Sequence, residues 1–343
     1  MSNHVLDGIM GLCVADALGV PVEFVSRSQL RADPVTGMRA YGTYHQPAGT
    51  WSDDTSMTLC LLDSLAEAGR PDYEDIMQKF RRWHDQGDYT PYGEVFDVGS
   101  ATRRAINRCQ TGTPALQCGG RAEGDNGNGS LMRILPLLYW LQARGSGEFD
   151  AEAFDIIHNV SALTHAHPRS QMACGIYLCI AAAITTGAGL SEAIHSGIKK
   201  ARQYYDQRTE FAAQRQHYAR LEDSRFAVLP EDRIKSSGYV VDTLEAALWC
   251  LLNTDNYRDC VLKAVNLGED TDTVAAVAGG LAGLYYGYEA IPAEWLTTIA
   301  RRDYIESLCA SWGRLNRPQL ASTLSCFPGT HHTWSNNQQR HPG

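Results

Sequence analysis

Trp51-Ser52-Asp53-Asp54-Thr55-Ser56-Met57 leads into Thr58-Leu59-Cys60-Leu61-Leu62-Asp63-Ser64-Leu65-Ala66-Glu67-Ala68, and Gly69 ends the run. Leu59, Leu62, Leu65 and Ala66 recur at spacings of three and four, which places them on one face of a helix. The short oxygen side chains in front suit a helix N-terminus, and the glycine behind suits a C-terminal stop. The same pattern recurs outward from this stretch, for example at Leu244, Ala247, Leu248 and Leu251. Gly69-Arg70-Pro71, Gly112-Thr113-Pro114, Gly145-Ser146-Gly147 and Ile291-Pro292 punctuate the runs as helix stops and starts. Roughly a dozen helices are expected. No stretch alternates as a strand would, and no fixed-period repeat appears.

The 343 residues would by length suggest about two domains. No linker-like stretch divides them, so the expectation is one compact all-α domain, an orthogonal helical bundle over residues 1–327. The remainder, 328–343 (PGTHHTWSNNQQRHPG), has no aliphatic residue and is expected to fray. Its His331-His332 pair is read as solvated rather than metal-binding. Gln203 to Ser237 is rich in charge and aromatics and is expected to form an exposed arm or flap.

Lys and Arg number 30 against 39 Asp and Glu, a net charge of −9, with 44% hydrophobic residues. That excludes a largely disordered chain. It also argues against general nucleic-acid or anionic-membrane binding, which draws its affinity from cationic side chains. The start, MSNHVLDGIM, lacks the basic region of a secretory signal. The longest uncharged stretch, Gln171 to Glu192, loses its apolar character near Ile184 and reads as a buried helix. Ten cysteines from Cys13 to Cys326 form no CxxC pair, and most sit in apolar helical text. Scattered free thiols fit a reducing, cytoplasmic setting.

A second corner, Gly268-Glu269-Asp270-Thr271-Asp272-Thr273, precedes VAAVAGGLAGLYYG and has the composition of the first. Each corner alone is explained by helix capping. A cap needs one short oxygen side chain, however, and each corner carries at least three. Asp270 and Asp272 diverge on a regular helix but can converge in a loop that enters one. Carboxylates brought together repel unless they are protonated or bridged by cations. Carboxylate and hydroxyl donors without Cys or His favour Mg²⁺ or Mn²⁺ over Zn²⁺. If the corners meet, a two-metal site is expected.

Four blocks, taken in order, resemble the ADP-ribosylglycohydrolases. They are Gly11-Leu12-Cys13-Val14-Ala15-Asp16-Ala17-Leu18-Gly19 with Val20-Pro21-Val22-Glu23-Phe24; Trp51 to Met57; Asp125-Asn126-Gly127-Asn128-Gly129-Ser130-Leu131-Met132-Arg133 with Thr164-His165-Ala166-His167-Pro168; and Ser237-Gly238-Tyr239-Val240-Val241-Asp242-Thr243-Leu244 with Asp270 to Thr273. They span about residues 8–287, and their joint order is specific. The resemblance implies a compact all-α fold and two divalent cations, Mg²⁺ or Mn²⁺. Its metal oxygens fall on Ser52, Asp53, Asp54, Asp270, Asp272 and Thr273. It also implies hydrolysis of ADP-ribose from a protein side chain, most often arginine, with free ADP-ribose as product.

Catalytic roles are expected for Glu23, Asp53, Asp125 and Asp272. Substrate contacts are expected from Asn128, Gly129, Ser130, Met132, His165 and Tyr239. Glu23 resembles the family's mobile glutamate. The Gly/Asn loop from Gly124 to Gly129 suits the diphosphate or distal ribose, because glycine lets backbone amides approach a phosphate. Arg133 is expected to pair with phosphate or a corner aspartate, and Asp16 to anchor the metal loops by hydrogen bonds. Ser52 stands where threonine is commoner, Ala15 where glycine is, and Glu269 where glycine precedes Asp270. A second reading is an immunity protein on the same fold that occludes a cognate ADP-ribosyltransferase. Its expected signature is an arm beyond the core, for which 203–237 is the candidate. The partner is otherwise an ADP-ribosylated protein, met by a monomer.

Overall fold

The computed structural model describes residues 4–144 and 149–315. The expected tail, its histidine pair, Cys326 and Gly145-Ser146-Gly147 lie outside the described residues. Those residues form helices α1 to α14 joined by short 3₁₀ turns, with no strand among them and two isolated β-bridges.

At the centre are α1 (His4–Gly19) and α12 (Thr271–Tyr286), which make the most extensive helix pair in the molecule. Their residues are buried almost all round, so neither shows a polar face. Small residues let the two backbones touch. A Cβ on Gly279 would lie 2.4 Å from the Ala15 Cβ and 2.5 Å from the Gly11 carbonyl. Ala15, where the family pattern has glycine, therefore sits at the helix contact in ordinary helical geometry. By length and composition His4–Val22 could cross a membrane, yet 89% of that stretch is buried inside this fold.

Around this pair, α3 (Asp53–Ala68) starts at Ser52, whose hydroxyl caps the Asp54 amide, and ends at Gly69 in the left-handed conformation (φ 64°). Leu59, Leu62 and Leu65 are fully buried, each contributing about 1.5–3 kcal/mol of transfer free energy. Against this frame pack α4 (Tyr73–Gln86), α5 (Ser100–Gln110), α8 (Pro168–Ile184), α10 (Val240–Leu252) and α11 (Tyr257–Asn266).

The expected exposed arm is corrected. Residues 203–205 finish α9 (Leu190–Tyr205), and four 3₁₀ turns follow between Thr209 and Arg233. Phe211, Tyr218, Leu221, Phe226 and Ile234 are buried. The Tyr218 hydroxyl donates to the Arg169 carbonyl (2.6 Å), and Arg27 donates to the carbonyls of Glu231 and Ile234 (both 2.7 Å). The segment is a strap fastened to the body, because its aromatics face inward and its charges outward.

Candidate active site

The two acidic corners meet, and Asp16 holds the first of them. Buried in α1, Asp16 accepts from the Ser52 amide (3.1 Å), the Thr55 amide (3.0 Å) and the Thr55 hydroxyl (2.6 Å). The Ser52 hydroxyl lies 2.9 Å from both Asp16 Oδ1 and Asp54 Oδ2. The other corner is tied to the end of α1 by the Thr271 hydroxyl, which donates to the Gly19 carbonyl (2.8 Å). Thr273 Oγ1 then reaches Asp54 Oδ2 at 3.3 Å, across 219 positions of sequence.

Oxygens of Asp16, Asp54 and Asp272 lie within 4.8 Å of one another, as do those of Glu23, Asp97 and Asp272. Burial is the main cause that raises Asp53, Asp54 and Asp272 well above the usual carboxylate range, and neighbouring carboxylates add to it. Burial likewise lifts Asp16 to about 6, and burial with the Asp97 charge lifts Glu23 to about 9. Glu23 Oε2, Asp54 Oδ1 and Asp272 Oδ2 are buried with no hydrogen-bond partner. Orphaned oxygens in two clusters that share one aspartate, with no nitrogen or sulfur donor, fit hard divalent cations.

The clusters floor a cavity of about 250 Å³ with two unlike ends. One end carries Glu23, Asp53, Asp97 and Asp270; the other is Gly124, Gly127, Asn128, Gly129, His165 and Gly238, with Gly99 to Thr102 at the side. Among the described residues no lysine or arginine lines it. The glycine loop is zipped to the start of α10, the Asn128 amide donating to Gly238 and the Val240 amide to Asn126 (3.1 and 3.0 Å). A Cβ on Gly129 would come 2.8 Å from His165 Cε1, so glycine is needed for this approach. Asn128 Nδ2 donates to Asp270 Oδ2 (2.7 Å) and joins the two ends.

Arg133 Nη2 donates to the Thr164 hydroxyl (2.7 Å), which lies 2.7 Å from His165 Nδ1. A hydroxyl has one proton and two lone pairs, so after accepting from Arg133 it pairs with Nδ1 in either tautomer. The tautomer in which Nδ1 accepts puts the ring N–H on Nε2, toward the glycine loop. Burial holds His165 neutral, down at about 3. The first turn of α5 has no side-chain cap, and buried Thr102 Oγ1 has no partner. Free amides, a hydroxyl and a neutral N–H suit an anion.

Of the expected residues, Glu23, Asp53, Asn128, Gly129, Met132, His165, Asp270 and Thr273 line the cavity, with Asp54 and Asp272 beneath. Others sit elsewhere. Asp125 pairs with Arg104 (2.7 Å) and accepts from the Ala122 amide, which hold it below the usual carboxylate range. It clamps the loop through these contacts, beside Gly124 at the cavity edge. Buried Ser130 bonds to Ser161 (3.0 Å), away from the cavity. Arg133 is spent on the Gly129 carbonyl and Thr164, and reaches no phosphate position. Tyr239 stands beside the cavity, its hydroxyl accepting from Arg169 (3.0 Å). His167 caps the Arg169 amide.

Asp97 was missed, as was the turn after it. Asp97 comes from a loop without helical period. Its visible signal was the Gly99-Ser100 step before a periodic run.

Among the described residues, helices without strands bring two acidic helix starts to one pit that suits hard divalent cations, with a glycine loop opposite that suits an anion. The model of the ADP-ribosylglycohydrolase family matches residues 1–321, and the chain belongs to that family. It is 32% identical over 303 residues to the ADP-ribosylarginine hydrolase Tri1 of Serratia proteamaculans, covering 88% of this chain and 76% of the relative. It is 32% identical to the ADP-ribosyl-[dinitrogen reductase] glycohydrolase of Rhodospirillum rubrum, covering 87% and 90%. A solved structure, described as an ADP-ribosylglycohydrolase-related protein complex, superposes with a TM-score of 0.73 at 31% identity, covering 92% of this chain and 98% of that one.

Proposed function

We propose that this glycohydrolase removes ADP-ribose from arginine side chains of a protein, with a pair of Mg²⁺ or Mn²⁺ ions held by Ser52, Asp53, Asp54, Asp270, Asp272 and Thr273. The observation that carries the reading is the meeting of Asp54 with Asp272 and Thr273, with orphaned oxygens turned into a shared pit. The relative named an ADP-ribosylarginine hydrolase supplies the substrate class. When bound, divalent cations position ribose hydroxyls and acidify an attacking water.

The chain's own residues do the rest. The free amides of the α5 start and the glycine loop, with Thr102 and His165 Nε2, hold the diphosphate without any arginine or lysine. Glu23 and Asp97, joined through the Tyr44 hydroxyl, face the ribose end. There they orient the cleaved bond and stabilise the cationic character that develops on the ribose. Nine free cysteines among the described residues support a reducing, cytoplasmic setting. The occluding-protein reading loses its candidate arm, since 203–237 folds against the body.

The test is release of free ADP-ribose from ADP-ribosylarginine with and without divalent metal. Asp54→Ala is expected to lower kcat at least about 10³-fold while keeping the helical circular-dichroism spectrum, and EDTA to do the same reversibly. Undiminished release by Asp54→Ala would sink the proposal.

A further inference from the structure

The segments that ring the cavity share a backbone oddity. Among the described residues seven non-glycine residues have positive φ, and five of them, Phe24, Tyr41, His45, Asp97 and Glu269, lie on these segments. Such conformations are unfavourable and persist where surrounding structure imposes them. Phe24 (φ 64°) and Glu269 (φ 64°) are locked together, the Phe24 amide donating to the Glu269 carbonyl (2.7 Å) and the Glu269 amide to the Val25 carbonyl (2.9 Å).

The consequence is outward display. Phe24 is 69% exposed although its neighbours Val22 and Glu23 are buried, and Glu269 is exposed although Asp270 lines the cavity. Tyr41, 68% exposed, belongs to a loop pinned beneath the same lip, where the Thr43 hydroxyl donates to the Glu23 carbonyl (2.7 Å). Phe24 and Tyr41 leave most of their ring surface in solvent, area that a docked partner buries. This lip adjoins the carboxylate end of the cavity, opposite the glycine end that suits the diphosphate.

Resting on the arginine-hydrolase reading, we propose that Phe24, Tyr41 and Glu269 form the docking lip for the protein that carries the modification, and that the lip takes a cationic segment flanking the modified arginine. An exposed ring beside a carboxylate, as Phe24 stands beside Glu269, is the pairing that a guanidinium or ammonium group uses, through the ring face and the charge. Charge complementarity selects the occupant. Glu269 is an exposed carboxylate on the lip itself, and the whole chain carries −9. An acidic segment would meet repulsion there.

The test uses the full chain with Mg²⁺ and three probes. These are free ADP-ribosylarginine and two synthetic peptides with one ADP-ribosylated arginine each, flanked by lysine and arginine in one and by glutamate in the other. The wild type is expected to show a KM about fivefold lower for the basic peptide at equal kcat, with the gap shrinking at high salt. Glu269→Gln should narrow the gap about two- to fivefold, the scale of an exposed ion pair. Phe24→Gly, which keeps the left-handed backbone, should raise KM for the basic peptide by a similar factor. Both variants should cleave free ADP-ribosylarginine at the wild-type rate. Equal KM for both peptides in the wild type, or a gap unchanged in Glu269→Gln, would overturn the docking lip and leave the hydrolase standing. Release from none of the three probes would remove the hydrolase reading, and the lip with it.

Discussion

Single side chains settle how much repulsion the acidic site can bear. Asp16 is the clearest case, because it accepts from four donors of Ser52 and Thr55 while lying within reach of Asp54 and Asp272. Asp16→Ala would strand two buried amides and the Thr55 hydroxyl, each costing about 1–3 kcal/mol if nothing replaces the acceptor, while the Ser52 hydroxyl keeps Asp54 and relief of repulsion offsets part. A net loss of about 3 kcal/mol is expected in urea unfolding with Mg²⁺ present. Asp16→Asn, which keeps one acceptor oxygen, should lose less than half as much. Equal losses for the two variants would show that accepting these bonds is not what Asp16 contributes. The sequence exposed this residue as an anchor. For Asp97 it offered only the Gly99-Ser100 step that follows, because one aspartate in an aperiodic loop resembles any solvated aspartate until the loop folds over the pit.

At the level of elements, the site depends on how closely α12 approaches α1. A Cβ at Gly19 would lie 2.4 Å from the Asp272 Cα and 2.5 Å from its amide, neither of which can move without displacing the second acidic corner. Gly19→Ala is therefore expected to lower kcat about tenfold or more and to cost about 1–3 kcal/mol of stability. Gly279→Val, two turns along the same contact and away from the carboxylates, should cost stability of the same order with activity per folded molecule largely kept. The comparison reads out as activity normalised to the folded fraction from circular dichroism, and equal activity losses at both positions would refute the division of roles. Periodicity revealed both helices but not their contact. The helix pair is buried all round, so no polar stripe in the text marks which faces meet.

For the whole molecule, acid sensitivity follows from histidines buried neutral. Burial holds His158 down at about 3 from an ordinary value near 6.5, among Phe154, Tyr205 and Phe211, with Nε2 3.0 Å from the Tyr205 hydroxyl. Because the folded value lies below the unfolded one, its contribution is present above pH 6.5. It is lost as pH falls toward 3, since only the unfolded chain takes up the proton. The slope is about 1.4 kcal/mol per pH unit. His158→Gln is expected to flatten the urea-derived stability slope between pH 6 and 5 by about one proton relative to wild type, while His165 keeps its own share. Parallel slopes for the two proteins would disprove it. The aromatic nest that desolvates His158 includes the strap, whose burial was the least legible feature. Its charged residues set the tone of the text, and its inward aromatics lie in 3₁₀ turns without helical period.

The text by itself determined an all-helical chain and the chemistry of its two acidic corners, because both are local. Helical spacing is a property of neighbouring residues, and oxygen donors announce their preferred cation wherever they stand. Only the tertiary structure decided that Asp54 and Asp272 share one pit and that Asp97 joins them. It also decided the partners of Asp125, Ser130 and Arg133, which are Arg104, Ser161 and Thr164. The physical reason is burial. Whether a carboxylate or guanidinium serves substrate or scaffold depends on which partners reach it after the helices pack, and no spacing along the chain encodes those long-range distances.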